Sequence, residues 1–320
     1  MARSVLPVHL LPLLAFALHA FAAGALAQAT SSPKRGLIAI PELSSSDEQL
    51  FATASSDLTW YYNYKTTPTA GLEKTRLDFL PMLFSANDSN PGTGFASGVT
   101  SLISRGAKIN TVLGFNEPDN CAGNTGGSCM PADLAATVWI QELEPLRAQG
   151  IKLVSPAVTS ADSGFTWMQN WFTACAGRCH PDFIGSHWYG ETFEQLASHI
   201  GRVNATYPNV SGIYLTEWAL PNANLTATQA FYNTSVLFLD RVSYVERYSY
   251  FGAFKSSTSN IGYNATFLDQ KGMLTDLGSW YLGGSATGRI PEASAGIKRG
   301  VCGRALVSGI ILALASFLGL

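Results

Sequence analysis

Residues 111–119 read TVLGFNEPD. Thr111 to Phe115 carry the apolar and β-branched side chains of a buried strand, and then the run stops at an amide, a carboxylate and a proline. Asn116 and Glu117 are costly to bury unless something partners them. The stretch is therefore either a solvated loop opening at a strand's end or a strand that delivers a carboxylate to a site. The rest of the chain decides between the two.

Seven further runs of the same kind flank it: GLIAI (36–40), LTWYYNY (58–64), DFLPMLF (78–84), KLVSPAV (152–158), DFIGSHWY (182–189), GIYLTEW (212–218) and RYSYFGAF (247–254). Between them lie helical patterns such as ASGVTSLISRG, SGFTWMQNWFTAC, TFEQLASHIGRVNAT and TATQAFYNTSVLFLDRV, with SSDEQLFATAS after the first run and DLGSWYL after the last. A weaker candidate, GLEKTR, follows the second run. The clearest is PADLAATVWIQELEPLRAQG, which opens at Pro131, places Leu134, Val138 and Leu143 near one face and stops at Gly150. Strand alternating with helix eight times predicts an α/β fold, a single (β/α)₈ TIM barrel.

Neither end of the chain belongs to that fold. Met1–Ala27 has one basic residue, an apolar stretch and a terminal Ala25-Leu26-Ala27, the pattern of a secretory signal peptide. Residues 295–320 combine small residues, the spacer IKRGVCGR and an uncharged tail of about sixteen residues, short of the roughly 20 a spanning helix needs. That arrangement predicts a removable GPI-anchor signal, with a short membrane anchor as the alternative. Residues 28–294 remain as one catalytic-sized domain. Lys34-Arg35 is a dibasic pair that a processing protease could use.

Export fits the cysteines and sequons. Without Cys302 in the spacer, four cysteines remain, an even set for two disulfides. Cys121 with Cys129 and Cys175 with Cys179 is the simplest pairing of three. N-x-S/T sequons begin at Asn87, Asn204, Asn209, Asn224, Asn233 and Asn264, candidate surface positions in a glycoprotein. The near-neutral charge of −2 has no basic stripe, which argues against a nucleic-acid partner. No cofactor motif, phosphate loop or metal-ligand spacing stands out, and a monomer is expected.

In such barrels chemistry sits beyond the carboxyl ends of the strands. Glu117 follows the fourth run and Glu217 lies near the end of the seventh, among the strand formers Ile213, Tyr214, Leu215 and Trp218. Two carboxyl groups facing each other across the mouth can hydrolyse a glycosidic bond, one protonating the leaving oxygen while the other attacks or activates water. An ordinary exposed loop acid is the plainer reading of Glu117 alone.

GFNEPD, SHWYG and YLTEWAL, on a domain beginning KRGLIAI, resemble glycoside hydrolase family 128, β-1,3-glucanases of the clan whose acid/base follows strand four and whose nucleophile lies on strand seven. The resemblance spans about Lys34 to Gly284. It implies Glu117 as general acid/base and Glu217 as nucleophile of a retaining mechanism, with Asn116 bonding the 2-hydroxyl of the cleaved sugar. His187 and Tyr189, on one face of their strand, could hold the nucleophile ionised; a satisfied core histidine is the alternative. Trp218, Trp60, Tyr62, Phe251 and Phe254 are candidate sugar platforms. The implied function is an endo-acting retaining β-1,3-glucanase on fungal wall glucan, secreted and meeting membrane only through a GPI anchor. A non-catalytic glucan-binding wall protein and a related glycanase with another substrate are the rivals, and exo action stays open.

Overall fold

The computed structural model describes residues 31–44, 47–86, 92–123 and 125–293. Every strand-like run becomes a strand: β1 Arg35–Ile38, β2 Trp60–Tyr62, β3 Asp78–Phe79, β4 Thr111–Leu113, β5 Lys152–Val154, β6 Ile184–Tyr189, β7 Ile213–Ala219 and β8 Val245–Tyr250. All their pairings are parallel. Six strands form one sheet in the order β3-β2-β1-β8-β7-β6, and β4 pairs with β5 in a second. The expected continuous eight-stranded ladder is thus interrupted on both flanks of β4–β5. Single parallel bridges, Met82–Leu113 on one side and Val154–Phe183 and Val158–Ser186 on the other, lie at those flanks. Pro81 and Pro156, which lack an N–H, sit in the two runs where pairing thins to bridges.

The helices follow the strands as the apolar spacing dictates. α1 (Pro41–Ser44) and α2 (Glu48–Phe51) are single turns, and α3 (Phe95–Ser104) buries Phe95, Val99 and Leu102. PADLAATVWIQELEPLRAQG splits into α4 (Ala132–Glu142) and α5 (Glu144–Arg147), because Pro145 has no N–H for the carbonyl four residues back. α6 (Asp162–Cys175), α7 (Phe193–Thr206), α8 (Leu225–Arg241) and α9 (Asp276–Tyr281) complete the set. Thr192 and Asn224 cap α7 and α8 by accepting from Gln195 N and Ala227 N.

GLEKTR forms turns instead of a helix. The strand pair β2–β3 is consequently uncovered on its flank, and a groove of about 800 Å³ opens there beside Tyr61, Phe79 and Leu102, with neither Glu117 nor Glu217 in its lining. Both disulfides, Cys121–Cys129 and Cys175–Cys179, adopt the simplest pairing.

Lys34-Arg35 is no processing site in the folded domain. Arg35 opens β1 with no exposed surface and pairs with Asp57 at 2.9 Å and Asp240 at 3.1 Å, while its Nε donates to Tyr248 Oη. Lys34 Nζ donates to Leu239 O and Val242 O. Among the sequons, Asn204, Asn209 and Asn224 are exposed and Asn264 is half-buried, whereas Asn233 is buried on α8 and is not a surface position. Asn87, Cys302, the leader over 1–27, the boundary at Ser294 and the tail over 295–320 lie outside the described residues. Among the described residues no helix is long and apolar enough to cross a membrane.

Candidate active site

The strand ends bring three titratable side chains together. Glu117 lies past β4, with its N–H donating to Ala157 O beside β5. Its φ of 40° is a left-handed conformation unusual for a side-chain-bearing residue, of the kind held only where surrounding structure enforces it. His187 on β6 and Glu217 on β7 are register partners across the parallel pair. All three are buried, at 3%, 0% and 5% exposure.

His187 joins the two carboxylates. Its Nδ1 lies 2.9 Å from Glu117 Oε1 and 3.5 Å from Glu217 Oε2, and its Nε2 lies 3.0 Å from Thr216 Oγ1. The ligand atoms of Glu117, His187 and Glu217 all fall within 4.8 Å of one another. Three such atoms could also ligate a metal ion, a cluster that spacing in the sequence does not reveal; chemistry by two carboxylates makes no use of one.

Glu217 is held by hydroxyl donors on both oxygens. Tyr64 Oη donates to Oε1 and Tyr189 Oη to Oε2, each at 2.7 Å. Burial pushes the Glu217 carboxyl above the ordinary carboxylate range; the His187 charge pulls it back, Glu117 adds to the rise, and the two tyrosine hydrogen bonds oppose it. Burial also works against a charge on His187. The Glu217 charge, then the hydrogen bond and charge of Glu117, outweigh it and raise the imidazole's pKa. Tyr64 and Tyr189 are raised far up by burial and then by the Glu217 charge, so both stay protonated donors.

Glu117 takes its second partner from Asn120, the residue just before the loop closed by the Cys121–Cys129 disulfide. Asn120 Nδ2 donates to Glu117 Oε2 at 2.9 Å, and Thr125 Oγ1 donates to Asn120 Oδ1 at 3.1 Å. A Cβ at Gly127 would come within 2.2 Å of Asn120 O, so only glycine lets the loop turn this tightly. Asn116 Nδ2 donates to Gly126 O at 3.0 Å. Its Oδ1 is buried without a hydrogen-bond partner, beside the cleft that Glu117, Glu217, Tyr189 and Phe251 line.

The other platform candidates sit elsewhere. Trp218 is fully buried on the outer side of β7, packed against Phe231, Tyr232 and Tyr250, because the alternation that turns Glu217 inward turns Trp218 outward. Trp60 is fully buried at the amino end of its run, its Nε1 donating to Lys34 O and its ring against Tyr62 and Tyr214. Tyr62 is also fully buried and donates to Thr216 O. Phe254 is buried edge-on to Phe251, so neither Trp218, Trp60, Tyr62 nor Phe254 offers a sugar a free face. Phe251 does line the cleft, in edge contact with Tyr189. Tyr64, Thr216 and Asn120 are the neighbours that the sequence reading missed.

A family model described as glycosyl hydrolase catalytic core matches residues 36–281. Alkali-sensitive linkage protein 1 of Schizosaccharomyces pombe is 32% identical over 262 residues, which cover 78% of this chain and 44% of that protein; the chain spans less than half of its relative's length. An endo-β-1,3-glucanase of glycoside hydrolase family 128 from Lentinula edodes superposes with a TM-score of 0.62 and 27% identity, over 78% of this chain and 98% of its own. An exo-β-1,3-glucanase of the same family from Aureobasidium namibiae gives a TM-score of 0.67 at 21% identity, over 79% and 97%. An oligosaccharide-binding protein of that family from Cryptococcus neoformans gives 0.59 at 20%, over 82% and 96%. The last two likenesses concern the fold alone.

Proposed function

We propose, for a chain that belongs to the glycosyl hydrolase catalytic-core family and shares the glycoside hydrolase family 128 pattern, that Glu117 and Glu217 hydrolyse β-1,3-glucan by double displacement. The observation that carries the proposal is the pair of buried carboxylates brought within 4.8 Å across His187 at the ends of β4 and β7. Retaining enzymes hold their carboxyl groups about 5–5.5 Å apart and inverting ones about 6.5–9.5 Å, so the narrow gap supports retention.

Glu217 attacks the anomeric carbon as Glu117 hands its proton to the departing glycosidic oxygen. A glycosyl ester on Glu217 results. Glu117, now a carboxylate, takes a proton from the incoming water, whose oxygen displaces Glu217 and restores both groups. Tyr64 and Tyr189 favour the ionised nucleophile by hydrogen-bonding both its oxygens. Asn116 Oδ1, lacking a protein partner, offers an acceptor for the sugar's 2-hydroxyl, a bond that gains strength as positive charge develops in the transition state. Phe251 supplies the apolar wall.

The test compares the unmutated protein with Glu117→Gln and Glu217→Gln on laminarin, xylan, mannan and cellulose. Release of reducing ends from laminarin alone, lost in both variants while binding persists, is the expected outcome. The endo mode belongs to the same proposal: oligosaccharides of mixed length support it, and glucose alone contradicts it. A protein that binds laminarin and releases nothing is a binding protein on this fold. Secretion, a GPI anchor and a fungal wall setting are proposed from the chain's ends; release of the protein from membranes by a phosphatidylinositol-specific phospholipase tests the anchor.

A further inference from the structure

The loop after β8 folds back on the loop after β7. Asn222 N donates to Ile261 O at 2.8 Å, and Asn264 Nδ2 donates to Ala223 O at 2.9 Å. On one side of this junction Asn260 and Ile261 line the cleft that contains Glu117 and Glu217. On the other side lies a separate cavity of about 480 Å³, lined by Asn222, Asn224, Ser256, Ser257, Ser259 and Tyr263 among others. One loop, residues 259–262, therefore contributes to both.

The chemistry of the second cavity is specific. No charged side chain lines it, so it has nothing to neutralise an anion or a cation and no carboxylate for a metal ion. Amides and hydroxyls dominate, with one large ring: Tyr263 is 41% exposed, among the few large apolar side chains left open on the described surface. At its base Ser256 is 4% exposed, and its Oγ has no hydrogen-bond partner. A buried hydroxyl left unpaired costs free energy that a bound group can recover. Asn222, with φ of 58°, is held in a left-handed conformation at the rim.

Neutral polar donors and acceptors around one exposed aromatic face match a neutral glycan, whose C–H faces pack on the ring while its hydroxyls meet the amides. We infer that this cavity is a second carbohydrate site, one that holds an outlying part of a β-glucan chain whose other part occupies the catalytic cleft. The inference rests on the glucanase reading for the identity of the sugar; the cavity and its lining do not depend on it. Two sites linked by one strand of substrate raise the effective concentration of that strand at the cleft, so long chains gain affinity that short ones cannot.

Asn224 and Asn264 head sequons, so the protein is produced without N-glycans for the test. Adsorption to insoluble β-1,3-glucan is measured in a Glu217→Gln background, and turnover of a short laminari-oligosaccharide in the active enzyme. Tyr263→Ala weakens adsorption about threefold to tenfold, the range of one aromatic packing interaction, and leaves oligosaccharide turnover within about twofold, since its ring lies outside the cleft. Ser256→Ala serves as the second variant; it deletes an unpaired hydroxyl, keeps the melting temperature and weakens adsorption in the same direction. Unchanged adsorption in both variants overturns the inference, as does a parallel fall in oligosaccharide turnover. A protein whose unmutated form cleaves and binds glucan while both variants behave as wild type refutes the second site alone. An unmutated form that neither binds nor cleaves refutes the glucanase reading with it.

Discussion

Tyr64→Phe removes one hydroxyl from the surroundings of Glu217 and leaves the ring in place, edge-on to Tyr62 and Phe84. The lost bond runs 2.7 Å from Tyr64 Oη to Glu217 Oε1, the short length typical of a hydrogen bond to a charged acceptor. Such bonds contribute about 1.5–3 kcal/mol. Burial already disfavours the Glu217 carboxylate, and Tyr189 on the other oxygen becomes the remaining hydroxyl donor to it. Glu217 therefore ionises at higher pH. At pH values on the acid limb, kcat/KM on laminarin falls roughly tenfold to a hundredfold, at about 1.36 kcal/mol per decade. Above the limb the deficit narrows, because Glu217 is ionised in both proteins. The assay is initial reducing-end release at sub-saturating laminarin across the pH profile, with Tyr189→Phe as a companion expected to move the limb the same way. An even loss at every pH with the acid limb unmoved would refute the reasoning: Tyr64 would then act on substrate or fold.

Three further outcomes follow from other groups. Glu217 and His187 both hold protons more tightly folded than unfolded, so each contributes stability at low pH that is lost as pH rises through its folded pKa; Glu217→Gln flattens that decline, read by melting temperature against pH. His199 has the opposite sign: burial, with Arg202 beside it, lowers its pKa to about 4, so about 3 kcal/mol of stability present above the ordinary 6.5 is lost as pH falls toward that value. His199→Gln keeps a partner for Ser186 Oγ and makes the acid-side loss in denaturant titrations shallower. Arg35→Met leaves the largely buried Asp57 and Asp240 without their cation and costs about 3–5 kcal/mol in urea unfolding; a cost under about 1 kcal/mol would mean that the pairs contribute no more than surface ones do.

The strands were legible because each is an apolar run ended by polar or turn-forming residues, and all eight runs formed. Glu117 and Glu217 were legible for the same reason: a carboxylate at the end of such a run has few cheap places to go. Tyr64 was harder to see. It lies past the end of β2 with φ of 60°, so the alternation of WYYNY does not say where its hydroxyl points. Asn120 immediately precedes a nine-residue span, 121–129, whose path is set by a disulfide and a close approach at Gly127, neither of which has a periodicity. Four of the five aromatic platforms, all but Phe251, failed for a different cause. Trp60 and Trp218 are large rings next to polar sequence, yet which face a ring exposes is fixed by side chains packed from elsewhere in the chain, Tyr214 of β7 against Trp60 and Phe231 and Tyr232 of α8 over Trp218. The thin pairing around β4–β5 depends on Pro81 and Pro156, whose missing donors weaken ladders that the apolar pattern alone suggests.

The central claim is that Glu217 forms the bond to sugar while Glu117 moves the proton. Incubation with an activated 2-deoxy-2-fluoro-β-glucoside extended by β-1,3-linked glucose slows the second displacement, and mass spectrometry of the digested protein then locates the adduct. The account predicts one fluoroglycosyl group per protein, carried by Glu217 in the peptide containing YLTEWAL, and no adduct in Glu217→Gln. An adduct on Glu117, or continued laminarin cleavage by Glu217→Gln with inverted product, would contradict it.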